Sequence, residues 1–257
     1  RPVREEDAWH QGGMAKELPI AAALGKYDGM DVLSLSSVPC AGNVKIWHKL
    51  LNCGLKITAT SGSDACMDRR QEALPGIFRY YAYLGDKDFS YSSLHKAVRE
   101  GRTFVTNGPL VLFEINGKLP GSNIDLGIGG LVKGKVEIYS YWDKINKIEL
   151  LQNGKVAKTF YNAKEGKNEF ALEFELELKE SCWLAIRVIG EKSGFYSVPM
   201  SIRYYSNVQQ PLPPIENLGD VFAHTNPIWI SIKASEIKSE KDAKFFHEWI
   251  RNFKDKV

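Results

Sequence analysis

Lys56–Ala65, KITATSGSDA, is a short β-prone run that meets a turn of small residues carrying one carboxylate. Gly62 lets the backbone turn sharply, Ser61 and Ser63 are small, and nothing bulky shields Asp64. At the carboxyl end of a strand in an α/β barrel, Asp64 would project where catalytic residues sit. An acid there also serves as the N-cap of a following helix, and the motif alone leaves both roles open.

The elements upstream and downstream set the fold class. Glu17–Gly25 reads as a helix opened by Pro19, Met30–Leu35 as a strand, and Asn43–Cys53 as a helix with Ile46, Leu50 and Cys53 on one side, ended by Gly54. Ile77–Leu84 is an aromatic strand and Ser92–Glu100 a helix closed by Gly101. This strand–helix alternation is the rhythm of βα units. About 108 residues cannot supply eight such units, so residues 1–108 are expected to be the carboxyl-terminal part of a barrel.

From Arg102 the period changes to two. Strands are expected on both sides of Asn107-Gly108-Pro109, over Lys133–Trp142, Lys147–Leu151, Asn168–Leu178, Trp183–Ile189 and Val221–Ile232. Asn116-Gly117 and Asn153-Gly154 mark turns. Alternation in Asn168–Leu178 puts Phe170, Leu172, Phe174, Leu176 and Leu178 on one face. Residues 109–235 therefore read as an antiparallel β-sandwich. Residues 236–257 read as a helix packed on it through Phe245, Phe246, Trp249, Ile250 and Phe253. The fold class is α+β in two domains.

The remaining composition excludes more than it assigns. A net charge of +3 with scattered lysines offers no basic stripe for nucleic acid. No apolar run is long enough for a membrane span. Four cysteines without CxxC spacing argue against a disulfide framework or a structural zinc site, and Cys40, Cys53 and Cys182 read as buried thiols. The chain opens at Arg1-Pro2 without an initiator Met, so its N-terminus is expected to be cut and the compartment stays open.

Trp47–Gly54, Thr58–Ala65 (TATSGSDA) and Gly101–Pro109 (GRTFVTNGP) together resemble the CehA/McbA-type branch of the PHP metallohydrolases. Asn153-Gly154, Glu180–Val188 (ESCWLAIRV) and Ala223–Pro227 (AHTNP) extend the resemblance in order along nearly the whole chain. It implies a distorted PHP-type barrel followed by a β-sandwich, with two or three divalent metals at the barrel mouth generating a hydroxide that attacks an ester. Phosphoesters are the usual substrates, and the namesakes of the branch act on aryl carbamate esters. Zinc, manganese or iron would be the cofactor.

In that family the last metal motif is Asp-x-His. Asp64 stands at its Asp and Cys66 at its His, where a thiolate suits zinc better than manganese. The earlier His-x-His motif is absent from these 257 residues, so the chain alone is expected to be inactive. His10 lies near where an upstream His motif would end and is the third candidate ligand. His48 and His95 read as ordinary helical residues, and His224 as a hydrogen-bonded structural one. Arg102 and Arg69 are the candidate substrate cations, set against a carboxylate pairing for Arg102 and a solvated face for Arg69. For Asn107 the turn reading is the stronger.

A Ser or Cys hydrolase has no GxSxG elbow to support it. A non-catalytic relative whose sandwich binds carbohydrate, peptide or a partner protein is the alternative, favoured by Cys66. An incomplete barrel must also hide a strand edge, behind the second domain, the N-terminal arm or another copy of the chain.

Overall fold

The computed structural model describes residues 17–34, 41–63, 75–85, 88–141, 144–161, 168–190 and 221–254. A central sheet is covered on both faces. One face meets a second antiparallel sheet, and the other meets a small strand–helix–strand unit.

That unit is β1 (Gly29–Ser34), α2 (Ala41–Asn52) and β2 (Thr58–Gly62), the two strands running parallel with Asp31 beside Thr60. A parallel pair needs a crossover, and α2 supplies it. The helix is apolar on two sides. Val44, Trp47 and Leu51 face the strands and the central sheet, while Ile46 and Leu50 face α1 (Leu18–Ala23) and the C-terminal helix α4 (Glu240–Lys254). Only the Ile46–Leu50 stripe is evident from simple helical spacing. Gly54, at φ +79, takes the left-handed conformation that ends the helix.

The central sheet is built on β11 (Cys182–Gly190). Along one side it pairs with β8 (Ile145–Gln152), which forms a hairpin with β9 (Lys155–Tyr161) through Asn153-Gly154. Both turn residues have positive φ, as a two-residue hairpin of the primed type requires. Along its other side β11 pairs first with β13 (Ile228–Ser231) and then with β12 (Phe222–Thr225). These are two halves of the single strand expected over Val221–Ile232. Asn226-Pro227 breaks it, because Pro227 has no N–H for the ladder. β12 carries β4 (Thr103–Thr106) and then β3 (Arg79–Ala82), and β13 carries the short β6 (Asn123–Asp125), which periodicity did not reveal.

The second sheet is β5 (Leu110–Ile115), β7 (Gly130–Tyr139) and β10 (Glu169–Leu178), all antiparallel. Val111, Phe113, Val136, Ile138, Phe174 and Leu178 pack from it onto Ile148, Leu150, Ile186 and Val188. The period-2 face expected of β10 is the one turned inward. β11 differs, because it is buried almost throughout: Leu184 and Ile186 face the sandwich core, while Trp183 and Ala185 face Trp47 and the strand–helix–strand unit. A strand covered on both faces reads as a continuous apolar run rather than an alternation.

Two placements differ from the sequence reading. β3 and β4, assigned to the barrel part ending at 108, are strands of the central sheet, because β4 pairs with β12. The C-terminal helix does not lie on the sandwich. Phe246 and Trp249 pack on Leu18, Ala22, Ile46 and Leu50, since α1 and α2 offer an apolar groove there. The side chain of Phe253 lies outside the described residues.

The edge of β2 is closed by a side chain. Ala59 N–H donates to Asn226 Oδ1 at 2.8 Å, and Asn226 Nδ2 donates back to Ala59 O at 3.2 Å and to Thr103 Oγ1 at 2.6 Å. A carboxamide thus replaces a neighbouring strand, and it belongs to the sandwich part of the chain. Replacing Asn226 by Ala strands the buried Ala59 N–H and should cost about 3 kcal/mol. Urea unfolding of N226A against the parent measures this, and a midpoint unchanged from the parent would refute the role.

Candidate functional site

β2 ends at Gly62, two positions before Asp64 in the sequence, and β1 runs parallel beside it with Ser34 opposite Gly62. Asp64, Cys66, His10 and Arg69 themselves fall outside the described residues. What is described nearby is a row of hydroxyls: Thr60 Oγ1 donates to Asp31 Oδ1 at 2.5 Å, Ser61 Oγ donates to Leu33 O, and Ser63 Oγ accepts from Gly76 N–H at 3.1 Å. Asp31, an exposed acid in an otherwise apolar strand, was not singled out by any motif.

Arg102 is partly buried just before β4. Its Nη2 meets Glu100 Oε2 at 2.8 Å, and its buried Nε has no hydrogen-bond partner among the described residues. A carboxylate therefore already holds one edge of the guanidinium fork. Asn107 does more than turn the chain: its Oδ1 accepts from Phe222 N–H at 2.8 Å and its N–H donates to Phe222 O at 3.1 Å, extending the ladder onto β12.

His48, read as an ordinary helical residue, and His224, read as a hydrogen-bonded structural one, are brought together. His48, on α2, and His224, on β12, are buried with their Nε2 atoms 3.0 Å apart. His224 Nδ1 lies 2.8 Å from Thr225 O. A carbonyl only accepts, so His224 carries its proton on Nδ1, its Nε2 is the acceptor, and His48 donates from Nε2. Indole rings flank the pair, with Trp47 and Trp183 centroids 5.3 and 5.1 Å from His48. No spacing rule links positions 176 residues apart, which is why the sequence did not show the pair.

Electrostatics keep the pair neutral. Burial, then the facing His224 and the Arg187 charge, hold His48 well below the ordinary imidazole range. Burial is also the main cause for His224, depressed to about 3. Arg187, opposite His224 across β11 and β12, is tied to Glu149 by contacts of 2.6 and 2.7 Å. For Glu149 burial acts to raise the pKa, but bonds from Lys147 and Arg187 outweigh it and the group is lowered. Among the described residues no three His, Cys, Asp or Glu side chains converge as a metal site, and the histidine pair has no third donor.

Beside His48 opens a cleft of about 670 Å³, between α2, the Asn153-Gly154 turn and the segment leading into α4. Lys49 pairs with Asp242 on its wall at 3.0 Å, and Asn52 joins three elements. Its Oδ1 accepts from Trp183 Nε1 at 2.8 Å, while its Nδ2 donates to Asp242 Oδ2 at 2.9 Å and Asn153 O at 3.4 Å.

No family model and no curated protein matches the sequence. Among solved structures, the chain is similar to the CARDB domain of PF1109 from Pyrococcus furiosus, at 14% identity, over 50% of this chain and 98% of that one. The TM-score is 0.27, and a likeness that slight carries no argument about fold or activity. Among the described residues no helix is long and apolar enough to cross a membrane.

The neutral histidine pair has a pH consequence. Below the ordinary histidine pKa of about 6.5 the unfolded chain takes up protons that the folded chain refuses, so stability falls as pH falls. Two such groups give a slope of up to about 2.7 kcal/mol per pH unit between pH 6.5 and 5. Glu149 and Asp242, both lowered in the fold, add their loss at more acid pH, around and below the ordinary carboxyl values of 4.5 and 3.8. Urea unfolding from pH 7 to 5 reads the slope directly, and a flat profile would exclude a neutral pair.

Proposed function

We propose that this chain is the carboxyl-terminal part of a PHP-type metal-dependent hydrolase that cleaves a small phosphoester, carbamate or carboxyl ester. The observation that carries the reading is the parallel β1–α2–β2 unit, with the GSDA sequence running directly off the carboxyl end of β2. Parallel βα units are the repeat of such barrels, and chemistry gathers at the carboxyl ends of their strands.

In this reading Asp64 is a hard carboxylate ligand to a divalent metal, Cys66 a soft one that favours zinc, and His10 the remaining candidate. A bound metal would supply a hydroxide near neutral pH and polarise the ester. These 257 residues contain no His-x-His pair, so other ligands must come from other sequence. Arg69 and Arg102 are the cations proposed to meet an anionic substrate, with Glu100 orienting the Arg102 guanidinium.

The second reading is a non-catalytic relative that binds through its sandwich side. Cys66 at the position of the family's His, and the cleft beside His48, favour it.

Zinc and manganese titrations of the chain and of Asp64→Ala and Cys66→Ser test the first reading. Zinc should bind the parent, lose at least about tenfold in affinity in each variant, and bind more tightly than manganese. The parent alone should leave aryl phosphoesters and aryl carbamates intact. Metal affinity indifferent to Asp64 would overturn the ligand assignment, and rapid hydrolysis by the chain alone would overturn the need for further ligands.

A further inference from the structure

The cleft beside His48 lies at the opposite end of the β1–α2–β2 unit from the carboxyl ends of β1 and β2. Helix α2 leaves the carboxyl end of β1 and returns to the start of β2, so its last turn, with Lys49 and Asn52, sits at the amino ends of the strands. The cleft is therefore a separate place, and its volume of about 670 Å³ is that of a small-molecule site.

We propose that this cleft binds an anionic sugar, a phosphorylated or carboxylated polyol. The first observation is charge. Five lysines against three acids line it, and two of the acids, Asp242 and Glu236, are already paired with Lys49 and Lys238. Lys45, Lys155 and Lys241 are exposed around it and have no ion-pair partner among the described residues. They suit the anionic group of a ligand.

The second observation is His48 itself. It is 7% exposed, lines the cleft, and spends its Nε2 proton on His224, so its Nδ1 is a bare acceptor. That atom has no hydrogen-bond partner among the described residues. Gly154 keeps it uncovered, because a Cβ at that position would lie 3.1 Å from Nδ1. An acceptor that opens onto the cleft with no donor from the protein suits a donor from a ligand, and a hydroxyl supplies it.

Asn153 and Glu180 complete the chemistry. The Asn153 Oδ1 is held by Trp183 N–H, leaving its amide N–H groups as donors. The Glu180 carboxylate, exposed on the wall, accepts from hydroxyls and disfavours a simple inorganic anion. Acceptors and donors in one cleft with cations at its rim match a ligand that carries both hydroxyls and a negative charge.

Calorimetric titration of the full chain with a hexose 6-phosphate, the uncharged hexose and inorganic phosphate tests this. The hexose phosphate should bind at least about tenfold more tightly than either other probe. Substituting Lys45→Gln, Lys155→Gln and Lys241→Gln together should weaken it about tenfold or more without moving the melting temperature, since all three are exposed. The His48 Nδ1 nitrogen resonance should move with the hexose phosphate in the parent. No binding, binding unchanged in the triple variant, or inorganic phosphate bound as tightly with His48 unmoved would each overturn the proposal.

Discussion

Ala59 has both its N–H and its C=O turned away from β1, and the Asn226 carboxamide meets the two of them. A two-stranded parallel sheet is poorly stable alone, and its open edge would expose a row of unpaired backbone groups. One buried side chain from the break between β12 and β13 supplies that edge, and Thr103 Oγ1, donating to Ala59 O at 3.2 Å, adds a second tie from β4. The strand–helix–strand unit is held against the central sheet by hydrogen bonds that few other residue types could make in the same geometry.

The other polar contacts between these parts extend the same seam. Trp183 bonds Asn52, Asn52 bonds Asp242, and His48 bonds His224, so α2, β11, β12 and α4 are linked across a largely apolar interface. Buried polar groups of this kind are costly unless each is satisfied, and that cost penalises alternative packings. The apolar residues around them, Trp47, Leu51, Trp183 and Phe222, supply the burial, while the hydrogen bonds fix the register. Tight backbone approaches contribute as well. Gly121, at φ +86, lies so close to Glu100 and Gly101 that no side chain fits there.

Much of this architecture was legible because periodicity reports local structure. The β10 alternation, the Asn153-Gly154 hairpin and the helix endings at Gly54 and Gly101 were all readable from composition and spacing. The layer order was not. Nothing local distinguishes β3 and β4, which join the sandwich sheet, from barrel strands, because partners are chosen by long-range pairing. Nor does spacing tell an amphipathic helix such as α4 which apolar surface it will cover. The site divides the same way. RTFVTNGP and AHTNP stood out as motifs, yet the structure gives Thr103, Asn107, His224 and Asn226 packing and pairing tasks. The His48 acceptor emerged only once the two histidines had been brought together in space.

The hydrolase reading and the anionic-sugar cleft both depend on the β1–α2–β2 unit being a fixed part of the molecule, since it carries β2 at one end and Asn52 with Lys49 at the other. The direct test is native-state hydrogen exchange comparing the Ala59 amide on β2 with the Ile186 amide on β11, which donates to Thr225 Oγ1. If the seam welds the layers together, both amides exchange through the same global opening, with free energies within about 1 kcal/mol of each other. Exchange of Ala59 through a much smaller local opening, with Ile186 still protected, would show that the strand–helix–strand unit comes away by itself and would contradict the account.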